Sequence, residues 1–208
     1  QHLGDNYAVE LAMRYQSPDL ETALKKLIFE IKVSEIVVFP MFPQYASATT
    51  GSVHDEVMRL LRQWDLIPNV KMINSYPDNP EMIDVFVQNA KKYEVTSYDH
   101  FIFSFHGVPE RHVKKADPSG SHCLKKENCC NLACLENQFC YSAQCHTTAH
   151  AIATKLGLDK EQYSITYQSR LGKDPWLQPY TDQTLQNQLS KGNKKILVFS
   201  PAFVADCL

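Results

Sequence analysis

Two groups of residues in this chain could do chemistry. The first is His106, which closes the run Phe101-Ile-Phe-Ser-Phe105 and precedes Gly107-Val-Pro109. An imidazole at the end of a rigid strand is a good general base or metal ligand near neutral pH. A histidine that only caps a strand through a backbone hydrogen bond is the plainer alternative. The second group is a set of cysteines. Six of the seven, Cys123, Cys129, Cys130, Cys134, Cys140 and Cys145, fall within 23 residues. Thiolates are soft ligands that suit zinc or iron–sulfur clusters. Their spacing contains no CxxC knuckle, which disfavours a zinc ribbon or finger. Free or oxidised loop thiols are the other reading. Lys125 and Lys126 would offset the charge of a four-thiolate centre.

The elements that must position these residues alternate. A helix opens at Ser17-Pro18-Asp19 and runs to Lys32, with Leu20, Leu24, Leu27, Ile28 and Ile31 at helical spacing. Glu35–Phe39 reads as a strand, Val53–Trp64 as a helix and Lys71–Asn74 as a short strand. Tyr76-Pro-Asp-Asn-Pro80 is a breaker cluster at a domain hinge. A helix over Glu81–Tyr93 leads into the buried strand Phe101–Phe105. A long polar insertion, Glu110–Cys140, precedes a helix over Ser142–Leu156. Tyr163–Tyr167 is a strand, 171–180 a loop, Asp182–Lys191 a helix and Lys195–Phe199 a strand. Strand–helix alternation means a parallel sheet covered by helices, an α/β fold.

In such a sheet the crevice beyond the carboxyl ends of the strands binds ligands. Four strand ends supply Gln44 and Tyr45, His106, Gln168 with Arg170, and Ser200 with Asp206. Together they offer a base, an acid, amides, a phenol and aromatic walls, suited to a flat and largely apolar ligand. No glycine-rich phosphate loop follows any strand.

The bulk numbers bound the rest. The chain has 208 residues, 44% hydrophobic and 21% charged, with a net charge of −2. That balance gives no electrostatic case for a nucleic-acid partner. No apolar run reaches the length of a membrane span and no signal peptide opens the chain, so a cytoplasmic protein is expected. Gln1 and Leu208 read as the cut ends of a longer protein.

The quoted motifs resemble those of the ferrochelatases, which insert ferrous iron into a porphyrin in haem synthesis. Ser104-Phe-His-Gly-Val-Pro109 is similar to the family's signature. Val38–Gly51, Tyr167–Asp182 and Ser200–Leu208 resemble three further family segments, and Met13-Arg14-Tyr15 a substrate-side one. The resemblance implies two Rossmann-like lobes with parallel sheets, the first incomplete: residues 1–78 form its C-terminal part, and 79–208 the second lobe with a cysteine-rich insertion at about 110–145. It implies that His106 takes a pyrrole proton or handles the iron. Arg14 and Tyr15 lie near the metal route or the porphyrin edge. Tyr45, Gln168 and Trp176 line the cleft. Asp206 belongs to an acidic path, and the family's catalytic glutamate would follow just beyond Leu208. Ferrous iron is then the substrate and a porphyrin the partner, with peripheral membrane contact and oligomeric state left open.

Certain bacterial members carry a 2Fe–2S cluster, some with ligands from an insertion at this place. The resemblance therefore implies such a cluster, and Cys123, Cys130, Cys134 and Cys140 are assigned to it. Without the cluster the segment is expected to be disordered or disulfide-linked. His122, His146 and His150 are expected to face solvent. The 208-residue chain by itself is expected to bind porphyrin weakly and to turn over little. Two alternatives remain: a non-catalytic tetrapyrrole- or metal-binding module, and a related cobalt or nickel chelatase.

Overall fold

A computed structural model describes residues 3–204. The chain forms two compact units, Gln1–Met41 with Ser47–Asn74, and Phe42–Ala46 with Ser75–Leu208.

In the first unit, helix α1 (Leu20–Lys25) begins at Asp19 rather than at Ser17. The Asp19 carboxylate accepts from the Thr22 amide at 2.7 Å, which satisfies an orphan donor of the first turn. The same run loosens into π-helical turns over Lys26–Ile31 and stops at Lys32, whose φ is 61°. Strand β1 (Glu35–Val38) pairs in parallel with β2 (Asn69–Met72), so β2 starts two residues earlier than its apolar pattern predicts. Helix α2 (Ser52–Leu61) links them. Leu24 and Ile28 pack with Ile36 of β1 and with Val57, Leu60 and Leu61 of α2 in one core.

The second unit is built on β3 (His100–His106), the middle strand of a three-stranded parallel sheet in the order β4-β3-β5. Here β4 is Tyr163–Gln168 and β5 is Ile196–Phe199. Every residue of β3 is buried except the last, His106. A strand covered on both faces carries this kind of continuous apolar run. The odd-numbered side chains Phe101, Phe103 and Phe105 join a core with α3 (Pro80–Ala90) and α5 (Tyr141–Leu156). Ser104 points to the other face. There its hydroxyl meets that of Thr181, the first residue of α6 (Thr181–Ser190), at 2.8 Å, and Thr181 meets Thr166 of β4 at 2.9 Å.

Two sequence expectations differ here. The insertion after β3 begins with a short helix, α4 (Glu110–Lys115). Phe42–Ala46 lies with the second unit because buried Gln44 donates to the Thr148 hydroxyl of α5 at 2.9 Å. Among the described residues no helix is long and apolar enough to cross a membrane.

Candidate functional site

The end of β3 is fixed from three sides. His106 is in register with Gln168, and the Gly107 amide donates to the Gln168 carbonyl at 2.6 Å. Val108 accepts from the Leu177 amide at 3.1 Å, and the Glu110 amide donates to Pro175 at 2.9 Å. These bonds seat the 171–180 loop against the turn after β3, with Trp176 bridged to Pro109. On the third side the Tyr141 hydroxyl of α5 donates to the His106 carbonyl at 2.8 Å. Gly107 is required by closeness: a Cβ there would sit 2.7 Å from the Ser169 carbonyl oxygen and 3.3 Å from the Trp176 ring.

The His106 side chain is exposed at this end. Its Nδ1 lies 2.7 Å from the Gly107 carbonyl, so Nδ1 carries the proton and donates. Nε2 is left as the nitrogen with a lone pair, able to accept a proton or bind a metal ion. Two aromatic rings flank the imidazole. Trp176 lies 6.5 Å away between centroids and Phe203 lies 6.3 Å away, edge-on. The Trp176 indole is itself held, donating to the Leu171 carbonyl at 2.9 Å. Gln168 ends β4 rather than following it and is half-buried. Arg170, beyond it, pairs with Asp182 at 3.2 Å and stacks over Tyr180 at 4.2 Å.

Tyr45 belongs to the same unit. Its amide donates to the Gln144 side chain of α5 at 2.7 Å, and its ring meets Phe139 edge-on at 5.9 Å. The structure thus gathers His106, Gln168 and Trp176 at one strand end, and sets Tyr45 against the first turn of α5. Arg14 and Tyr15 lie in the first unit, tied to the start of α2. Arg14 Nε donates to the Ser52 hydroxyl at 3.0 Å, its guanidinium faces Glu56 at 3.8 Å, and it lies over the Tyr15 ring at 4.6 Å. Asp206 lies outside the described residues.

The cysteine segment is an ordered loop knitted by two buried side chains. Asp117 accepts from the amides of Ser119, His122 and Cys123 at 2.8–2.9 Å and from the Ser119 hydroxyl at 2.7 Å. The Ser119 hydroxyl bond foremost, with the amides, holds its carboxyl far below the usual range. Asn137 donates to the carbonyls of Cys129 and Leu132 and accepts from the Cys134 amide at 2.9 Å. All six described cysteines are free, so the segment is neither disulfide-linked nor without order.

The thiols fall into two places. Cys140 is a thiol hydrogen-bond neighbour of both Cys130 and Cys123. Cys129 Sγ lies 3.9 Å from Cys130 Sγ. Cys134 lies beside His122 and Glu136, its Sγ 3.6 Å from His122 Nε2. Asn137 fixes the backbone at both Cys129 and Cys134, accepting from the Cys134 amide and donating to the Cys129 carbonyl. Burial pushes the Cys123 thiol up to about 11, and Cys129 up as well. The Cys140 bond, with burial, pushes Cys130 far up. Bare thiolates packed this closely repel, so Cys123, Cys129 and Cys130 stay protonated until a cation offsets the charge.

The histidines expected in solvent are not there. His146 and His150 stack edge-on at 5.8 Å on one face of α5, and His150 bonds to the Tyr163 hydroxyl at 2.7 Å. His122 is half-buried in the cysteine loop. Sequence reasoning missed Phe203, Tyr141 and Gln144. Phe203 had a legible signal, an aromatic residue just past a strand end. Tyr141 and Gln144 had none, because they act from another element.

A family model described as Ferrochelatase matches residues 1–208. The chain is 42% identical over 203 residues to a ferrochelatase of Stutzerimonas stutzeri (strain A1501), covering 96% of this chain and 59% of that protein. It is 44% identical over 201 residues to a ferrochelatase of Ectopseudomonas mendocina (strain ymp), covering 96% of this chain and 58% of that protein. The chain therefore spans less than two thirds of the length of these relatives.

Proposed function

We propose that this chain, which belongs to the ferrochelatase family, is the greater part of an enzyme that inserts ferrous iron into a protoporphyrin-type macrocycle in haem biosynthesis. The observation that carries the reading is His106. Its Nδ1 is committed to the Gly107 carbonyl at 2.7 Å, and its Nε2 is the free nitrogen at an exposed strand end between two aromatic rings.

Metallation replaces two pyrrole N–H protons with one Fe²⁺, so two protons leave for each ion that enters. Nε2 of His106 takes a pyrrole proton or holds the incoming iron. The protonated ring keeps its Nδ1 bond to Gly107 and so stays oriented through the transfer. Trp176 and Phe203 offer edges and faces for a planar aromatic ligand. Tyr45 and Gln168 serve the same wall, and Arg14 and Tyr15 bind substrate. Asp206 is the acid that passes protons or metal onward. The free thiols clustered in one segment fit a reducing compartment, so we take the cytoplasm as the site of action, with any membrane contact peripheral.

A 2Fe–2S cluster fits the thiol group. Cys140 neighbours both Cys123 and Cys130, and Cys129 Sγ lies 3.9 Å from Cys130 Sγ, so four thiols lie along one stretch of the loop. Such a cluster would tie the insertion together and supply a one-electron centre; metallation itself needs no electron.

The test uses the full-length protein, kept anaerobic with Fe²⁺ and protoporphyrin, and follows the loss of porphyrin fluorescence. Wild type is expected to turn over, and His106→Ala to bind porphyrin with its circular dichroism unchanged but to insert no iron. Near-normal insertion by that variant overturns the assignment of His106. Binding without turnover by wild type overturns the enzymatic reading.

A further inference from the structure

His122, Cys134 and Glu136 stand apart from the thiol group, and their donor atoms face one another. Nε2 of His122 and Sγ of Cys134 are 3.6 Å apart, and one carboxylate oxygen of Glu136 completes a set within 4.8 Å. We propose that these three side chains bind a divalent metal ion of the zinc class, separate from the centre held by Cys123, Cys129, Cys130 and Cys140. The site stands or falls independently of iron insertion at His106.

The distance is the first argument. A tetrahedral ion with Zn–S about 2.3 Å and Zn–N about 2.0–2.1 Å separates those two ligand atoms by about 3.5 Å. The His122–Cys134 pair already has that edge without any metal. The donor set is the second. A neutral imidazole, a thiolate and a carboxylate together carry two negative charges, which one divalent cation cancels. Mixed nitrogen, sulfur and oxygen donors suit a borderline ion. Binding displaces the Cys134 thiol proton, because the thiolate and not the thiol is the ligand.

The third argument is preorganisation. The His122 amide is fixed by Asp117 at 2.8 Å and the Cys134 amide by Asn137 at 2.9 Å, and both anchors are buried. Nε2 of His122 also lies 3.1 Å from the Cys129 carbonyl, but that oxygen keeps a 2.8 Å bond from Asn137 if Nε2 turns to a metal. Nδ1 is buried with no hydrogen-bond partner, so the Cys129 carbonyl alone selects the Nε2–H tautomer, and a metal at Nε2 moves that proton to Nδ1. All three ligand residues are half-buried, which leaves a way in for the ion and room for water as a further ligand.

The experiment maps cysteine alkylation by iodoacetamide, residue by residue, in full-length protein stripped of metal and then given Zn²⁺ in excess of both sites. Zinc is expected to protect Cys134 in wild type and in Cys129→Ser. It is expected to leave Cys134 open in His122→Ala and to require on the order of tenfold more zinc in Glu136→Gln. Cys134→Ser, which keeps the loop backbone, should bind one zinc fewer per chain. Two results overturn the proposal. One is equal alkylation of Cys134 with and without zinc in wild type. The other is protection that disappears in Cys129→Ser while surviving in His122→Ala, which would place Cys134 in the thiol centre.

Discussion

The Tyr141 hydroxyl donates to the main-chain carbonyl of His106 at 2.8 Å. One turn further along α5, the Gln144 side chain accepts from the Tyr45 amide at 2.7 Å. The first turn of one helix therefore positions two segments of the candidate site at once. Tyr141 is buried, and desolvation holds its phenol well above the usual range, so it stays a neutral donor at every working pH. Tyr141→Phe is expected to lower stability by about 1–3 kcal/mol, because the carbonyl at the strand end loses its partner. The urea midpoint measures this. A parallel fall in iron insertion, with secondary structure unchanged, would show the strand end to be what shifted; an unchanged midpoint and rate would show that the bond positions nothing.

Gly107→Ala is the sharper probe of the same strand end. The new Cβ would meet two backbone oxygens, at 2.7 Å and 3.1 Å, which cannot swing aside as a side-chain tip can. We expect a loss of about 1–3 kcal/mol, read by thermal or denaturant unfolding. We also expect altered Trp176 fluorescence, since that indole lies 3.3 Å from the same point. A variant as stable as wild type with unchanged fluorescence would mean that the 171–180 loop yields freely.

Acid should weaken the second unit through His146. Burial, with the neighbouring His150, lowers its pKa from 6.5 to about 4. Its unfolded form binds a proton near 6.5, so the stability it confers is complete above that pH and is lost as pH falls towards about 4. The loss reaches about 3 kcal/mol. His146→Leu should flatten the stability curve between those limits. An equally steep curve in that variant would assign the acid sensitivity to other groups.

Cysteine variants separate the two places in the insertion. Anaerobically purified Cys129→Ser is expected to lose iron and sulfide, and Cys134→Ser to retain both, because Cys129 Sγ stands 3.9 Å from Cys130 Sγ while Cys134 Sγ faces His122 at 3.6 Å. Iron and sulfide assays with the visible spectrum measure it. The reverse pattern would return Cys134 to the cluster.

Much of this was legible in the order of residues, for physical reasons. A strand buried on both faces must be apolar throughout, so Phe101–Phe105 announced itself, and the polar residue ending it had to be His106. Local rules also bounded the helices. Asn79 and Pro80 start α3, and Gly157 ends α5 with a φ of 70°. Even so, α1 begins at Asp19 and not Ser17, because the choice between adjacent caps depends on which side chain reaches the Thr22 amide.

What only the tertiary structure decided are the contacts that no spacing encodes. Nothing in the sequence near His106 says that Tyr141 will hold its carbonyl. Nothing near Gln44 says that Thr148, 104 residues away, will draw the 42–46 segment into the second unit. The cysteine loop shows the same division most plainly. Composition alone established that six thiols lie close in sequence. Which of them meet was settled by Asp117 and Asn137, two buried polar side chains whose unmet hydrogen-bonding needs fold the loop around them. They hold Cys134 beside His122, 12 residues earlier in the chain.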